Sequence, residues 1–68
     1  MIKLTDFLEM LIVKGLEDKR VVVRNVSDVK YDGEAGKCPF YVFHKAVVHR
    51  VKYNTAADMY FIDVLYEN

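Results

Sequence analysis

An α+β domain, with one N-terminal helix packed on a mainly antiparallel sheet of about four strands, is the fold this sequence predicts. Three observations carry that prediction: leucines at helical spacing near the start, a valine-rich run in the middle, and alternating β-branched and aromatic residues over Ala46–Asn68. Leu4, Phe7, Leu8 and Leu11 fall at i, i+3, i+4 and i+7, which places them on one helical face. Thr5 is positioned to cap that helix, Asp6 lies in its first turn, and Lys14 followed by Gly15 forms a natural end. The spacing therefore predicts a helix over Thr5–Lys14. Met10, Ile12 and Val13 widen its apolar stripe beyond a single face, so it either sinks into the sheet or offers a second face to a partner.

After a polar link, Leu16–Lys19, the run Arg20–Val26 is too β-branched to suit a helix and predicts a strand. Ser27-Asp28 reads as a turn, and a second strand follows from Val29 to about Ala35, ending among Gly33, Gly36 and Pro39. These glycines are too widely placed, and too far from any helix start, to cradle a phosphate. Pro39 favours a short helical turn near 39–44, against the extended preference of Phe40–Phe43. The last third predicts a hairpin with Thr55–Asp58 as its loop. Strict alternation then puts Val47, His49, Val51 and Tyr53 with Tyr60, Ile62, Val64 and Tyr66 on an apolar face. The other face carries Val48, Arg50 and Lys52 against Leu65, Asp63 and Phe61, with Arg50 across from Asp63.

At 68 residues the chain is one domain, 1–68. A core of this size leaves only ~3–5 kcal/mol of net stability without help. Hydrophobic residues are 53% of the chain, more than a few short elements can cover, so self-association as a homodimer or a protein partner is expected. No charged-then-apolar leader precedes the first helix, and the single cysteine, Cys38, has no internal disulfide partner. A cytoplasmic location is expected. Apolar runs such as Met10–Val13 are far too short for a bilayer. Ten basic and ten acidic side chains balance, which disfavours general nucleic-acid binding through counterion release. The balance is local as well as global: residues 30–52 hold five basic and two acidic side chains, and residues 53–68 hold Asp58, Asp63 and Glu67 with no basic one.

Cys38, His44 and His49 are metal-ligand types, but their spacing matches no zinc pattern, so no metal or cofactor is expected. A nucleophilic Cys38 would need His44 as its base and has no evident oxyanion donors, so no catalytic residue is assigned. Tyrosines such as Tyr31, Tyr41 and Tyr53 beside Arg50 could stack bases, but they equally suit rings that are buried with wet hydroxyls.

A Leu-rich opening helix, a valine strand, the stretch Tyr31-Asp32-Gly33-Glu34-Ala35-Gly36-Lys37-Cys38-Pro39 and a closing alternating strand resemble small proteins encoded by phages and prophages of Gram-positive bacteria. The resemblance is one of element order, and its most specific part is the Tyr-acid-Gly-x-Ala-Gly stretch. It implies an accessory phage protein working in the cytoplasm of a bacterial host, and it brings no catalytic residues with it. The expectation is a non-enzymatic protein that acts by binding a host or phage protein, inhibition of a host defence system being one concrete version. Its partner-binding residues are expected to be Arg50, Lys52, Phe61 and Asp63 on the final hairpin, with Phe43 from the aromatic run. A small nucleic-acid-binding regulator and a small-molecule sponge formed by an oligomer are the alternatives.

Overall fold

A computed structural model describes residues 2–66, so the expectation that Glu67 adds to the acidic end lies outside the described residues. The chain forms helix α1 (Leu4–Val13), strands β1 (Arg20–Asn25) and β2 (Asp28–Glu34), short 3-10 turns η1 (Ala35–Lys37) and η2 (Phe40–Phe43), and strands β3 (Ala46–Asn54) and β4 (Met59–Tyr66). The four strands make one mixed sheet in the order β2-β1-β4-β3. β1 pairs antiparallel with β2 and parallel with β4, and β4 pairs antiparallel with β3. The fold is α+β, as expected.

Leu4, Leu8 and Leu11 are the buried stripe of α1. Thr5 does not cap the helix. The cap position is Lys3, which makes no side-chain cap bond and sits in extended conformation. Its place is fixed by the sheet: Lys3 forms an antiparallel bridge with Val47, and the Val48 N–H donates to the Ile2 carbonyl at 2.7 Å. The chain therefore leaves a strand-like pairing and enters the helix in a single step. At the other end Gly15 has φ +79°, and the Gly15 and Leu16 N–H groups donate to the carbonyls of Ile12 and Leu11. That is a Schellman closure, which needs a left-handed residue where Gly15 stands.

α1, η1 and η2 cover one face of the sheet. Their inward side chains Leu4, Leu8, Leu11, Ala35 and Phe43, with Cys38 between the two turns, form one core with Val21, Val23, Ala46, Val48, Ile62 and Val64. β1 is an inner strand, which explains three valines in a row: Val21 and Val23 face the helix and Val22 faces the other way. In η2 the three-residue repeat brings positions i and i+3 to one side. Phe40 packs against the core and Phe43 is buried within it, while Tyr41 is left 81% exposed.

The hairpin loop is Thr55–Asp58, with Asn54 opposite Met59, and the register gives Tyr53↔Tyr60, Lys52↔Phe61, Val51↔Ile62 and Arg50↔Asp63 as expected. Strict alternation then fails at His49, where a β-bulge shifts the pairing to Val48↔Val64 and Val47↔Leu65. The extra residue reverses the faces of the first half of β3. Val48 turns into the core, Val47 turns away from it, and His49 is exposed rather than seated on an apolar face.

The β1–β2 turn falls one residue earlier than the sequence suggests, at Val26-Ser27 rather than Ser27-Asp28, and Val26 occupies it with φ +61° at 83% exposure. A β-branched residue in the left-handed region costs ~1–2 kcal/mol and here buries nothing in return. Val26→Gly is expected to raise stability by about 0.5–1 kcal/mol, the relief exceeding the entropic cost of glycine, as read from a urea unfolding curve.

Candidate interaction face

The sheet face away from α1 has no element packed on it among the described residues. The register sets out its rows. Val22 lies between Asp32 and Phe61, Phe61 faces Lys52, Arg24 neighbours Asp63, and Asp63 faces Arg50. Four of the residues expected from the sequence, Arg50, Lys52, Phe61 and Asp63, are thus adjacent on one surface. The fifth, Phe43, is not among them: it is 2% exposed in the core on the opposite side. Its burial follows from the i, i+3 repeat of η2, which leaves Tyr41 and Val42 as the exposed pair of the aromatic run.

Two basic residues that sequence reasoning did not single out complete the face. The Arg24 Nε donates to the Asp63 carboxylate at 3.0 Å, and its guanidinium lies 5.0 Å from the Phe61 ring centroid. Arg20 binds Asp32 through two nitrogens, each at 2.7 Å. That hydrogen bonding holds the Asp32 carboxyl below its ordinary pKa. The signal was present in the sequence, since Arg20, Val22 and Arg24 share one parity of a strand. Charge is therefore internally matched over the centre of the face. Arg50 and Lys52, on β3 at the sheet's rim, form no ion pair with any described residue.

Beside the hairpin loop, Lys19 donates to both Asp58 carboxylate oxygens, at 2.5 and 2.6 Å, and the Tyr53 hydroxyl donates to the same carboxylate. These bonds lower the Asp58 pKa, first through Lys19 and then through Tyr53, and raise that of Lys19. The network ties the β3–β4 loop to the chain entering β1. Its stabilisation is present above the ordinary carboxylate range and lost as acid protonates Asp58, and it is lost again as pH rises past the raised Lys19 value. Asp58→Asn is expected to lower Tm by a constant amount between roughly pH 5 and 9. The gap to the parent should close as acid protonates Asp58, below the ordinary carboxylate range, and narrow in high salt. A gap independent of both would remove the ion pair as its cause.

The stretch Tyr31–Gly36 has an architectural role at each position. The Tyr31 ring lies over Gly33, and its hydroxyl donates to the Glu34 carbonyl at 2.6 Å. Asp32 pairs with Arg20, Ala35 is fully buried, and the Gly36 N–H donates to the Glu17 carbonyl at 2.7 Å. A Cβ at Gly36 would stand only 3.0 Å from the Glu17 Cβ. The segment clamps the end of β2 to the link between α1 and β1.

Cys38 is buried, and burial pushes its thiol up to about 11. The His44 Nδ1 lies 2.9 Å from the Tyr41 carbonyl oxygen, engaged with its own turn, and His49 is in the bulge. The structure does not assemble the three, and no group of three His, Cys, Asp or Glu residues suited to a metal forms among the described residues. An open hollow lined by Ile12, Glu17, Glu34, Gly36 and Lys37 lies by the end of α1. No helix among the described residues is long and apolar enough to cross a membrane. Neither a family model, nor a curated protein, nor a solved structure matches the chain.

Proposed function

We propose that this is a non-enzymatic accessory protein of phage type that acts by binding another protein, with inhibition of a bacterial host defence system as its concrete form. The observation that carries the reading is the uncovered sheet face, on which Phe61 sits among Arg24, Arg50, Lys52 and Asp63. An aromatic side chain flanked by arginines is the composition of an interface centre, and about 800 Å² per partner suffices to block a larger machine. The two unmatched cations at the rim favour a partner with an acidic surface. Nucleic-acid binding is the second reading, favoured by the same two cations. Against it, the Arg24 guanidinium already covers Phe61, where a base would have to stack, and the net charge is zero.

The test is native mass spectrometry of tagged protein purified from cells carrying phage and defence genes. A defined protein mass, retained by the parent and lost by Phe61→Ala with folding intact, is the expected result. A nucleic-acid mass whose occupancy falls steeply with salt would replace this reading with the second. A second copy as the sole added mass would replace it with self-association, and a bare chain would contradict it.

A further inference from the structure

β3 is an edge strand, and its outer side is only partly closed. At its start the bridge from Lys3 to Val47 and the bond from the Val48 N–H to Ile2 occupy that side. Beyond the His49 bulge, Arg50–Asn54 borders no further strand among the described residues, an open length of roughly 17 Å at ~3.4 Å per residue. Along it Arg50 and Lys52 face the uncovered side of the sheet, while Val51 and Tyr53 share the helix side and are each about two-fifths exposed.

We propose that this edge accepts an extended acidic segment of the partner protein as an added strand, with its acidic residues beside Arg50 and Lys52 and its apolar residues beside Val51 and Tyr53. The proposal rests on the protein-binding reading of the same hairpin and specifies how that binding is made. Backbone pairing supplies affinity in such an arrangement, and the alternating side chains supply selectivity. Charge decides between the occupants. A second copy pairing β3 with β3 would bring one set of Arg50 and Lys52 against another, and like charges across a ladder destabilise it. The acidic residues of β2 could in principle answer them, but each has a basic neighbour in its own chain: Asp28 with Lys30 at 4.0 Å, Asp32 with Arg20 at 2.7 Å and Glu34 with Lys37 at 3.8 Å. Neither open strand edge of a second copy therefore offers an acidic residue without a basic neighbour, which favours a segment of another protein as the complement to Arg50 and Lys52.

The experiment titrates the intact protein with three short fluorescein-labelled peptides: alternating Glu and Val, alternating Lys and Val, and the Glu/Val peptide N-methylated at alternate residues. Anisotropy gives affinity, and amide chemical shifts locate the site. The expected result is binding of the Glu/Val peptide alone, with the largest shifts at Arg50–Asn54 and at least a roughly tenfold loss in Arg50→Ala/Lys52→Ala. Equal binding of the N-methylated peptide, equal binding of the Lys/Val peptide, shifts centred elsewhere, or no binding would each overturn strand addition. Should native mass spectrometry show a partner mass that the parent retains and Phe61→Ala loses while the peptides fail, strand addition falls and face binding stands. If that mass is also absent, both fall.

Discussion

Phe43→Ala is expected to cost ~3–5 kcal/mol, the range for deleting a buried aromatic ring. Phe43 is 2% exposed and belongs to the same core as Leu4, Leu8, Ala35 and Cys38, beneath α1 and η2. A chain of this size has about the same amount of net stability in total, so the variant should be largely unfolded at 25 °C. Circular dichroism would show loss of the folded signal, and Phe43→Leu, which keeps most of the volume, should retain it. Any loss of partner binding in Phe43→Ala would then report unfolding rather than a removed contact. Phe61→Ala, on the uncovered face, is the substitution that separates the two. A folded Phe43→Ala with near-parent stability would contradict the packing of η2.

The second large effect is on the alkaline side. Burial raises the Cys38 thiol from its ordinary 9.0 to about 11. A group whose folded pKa is raised contributes stability that is fully present below its unfolded value and lost as pH rises toward its folded one. For Cys38 that window runs from pH 9.0 to about 11. At about 1.4 kcal/mol per unit, the loss across it is on the order of 2–3 kcal/mol. Tyr31, raised chiefly by burial, and Lys19, raised chiefly by its bond to Asp58, move stability in the same direction. Cys38→Ala is expected to lose a fixed packing contribution at pH 7 and to flatten most of the decline between pH 9 and 11 in urea unfolding. Alkylation of the parent by iodoacetamide at neutral pH should likewise be slow until the chain opens, because the thiol is buried and protonated. A parallel decline in both proteins, or prompt alkylation of the folded parent, would show that Cys38 is wetter than its position implies.

Much of this arrangement is local and was therefore legible. Leu4, Leu8 and Leu11 declare a helix by spacing alone, Gly15 ends it where a left-handed residue is required, and Thr55–Asp58 sets the pairing of Arg50 with Asp63 and of Lys52 with Phe61. What was not legible depends on contacts between distant segments. The bulge at His49 accompanies the pairing of Ile2 and Lys3 with the start of β3, which no periodicity within the hairpin records. The parallel pairing of β1 with β4 places Arg24 beside Asp63 and over Phe61, residues far apart in sequence, so the charge matching at the centre of the face could not be read. Phe40–Phe43 is apolar at every position, and only the three-residue repeat of the turn decides that Phe43 goes in and Tyr41 stays out.

Hydrogen exchange on the protein in its purified complex is the most direct test that the hairpin is the binding surface. Added protection is expected to be concentrated in β3 and β4, greatest over Arg50–Asn54, with α1 and η2 exchanging as in the free chain. Protection concentrated instead on the exposed end of α1 around Met10 and Val13, or on Tyr41 and Val42, would contradict it.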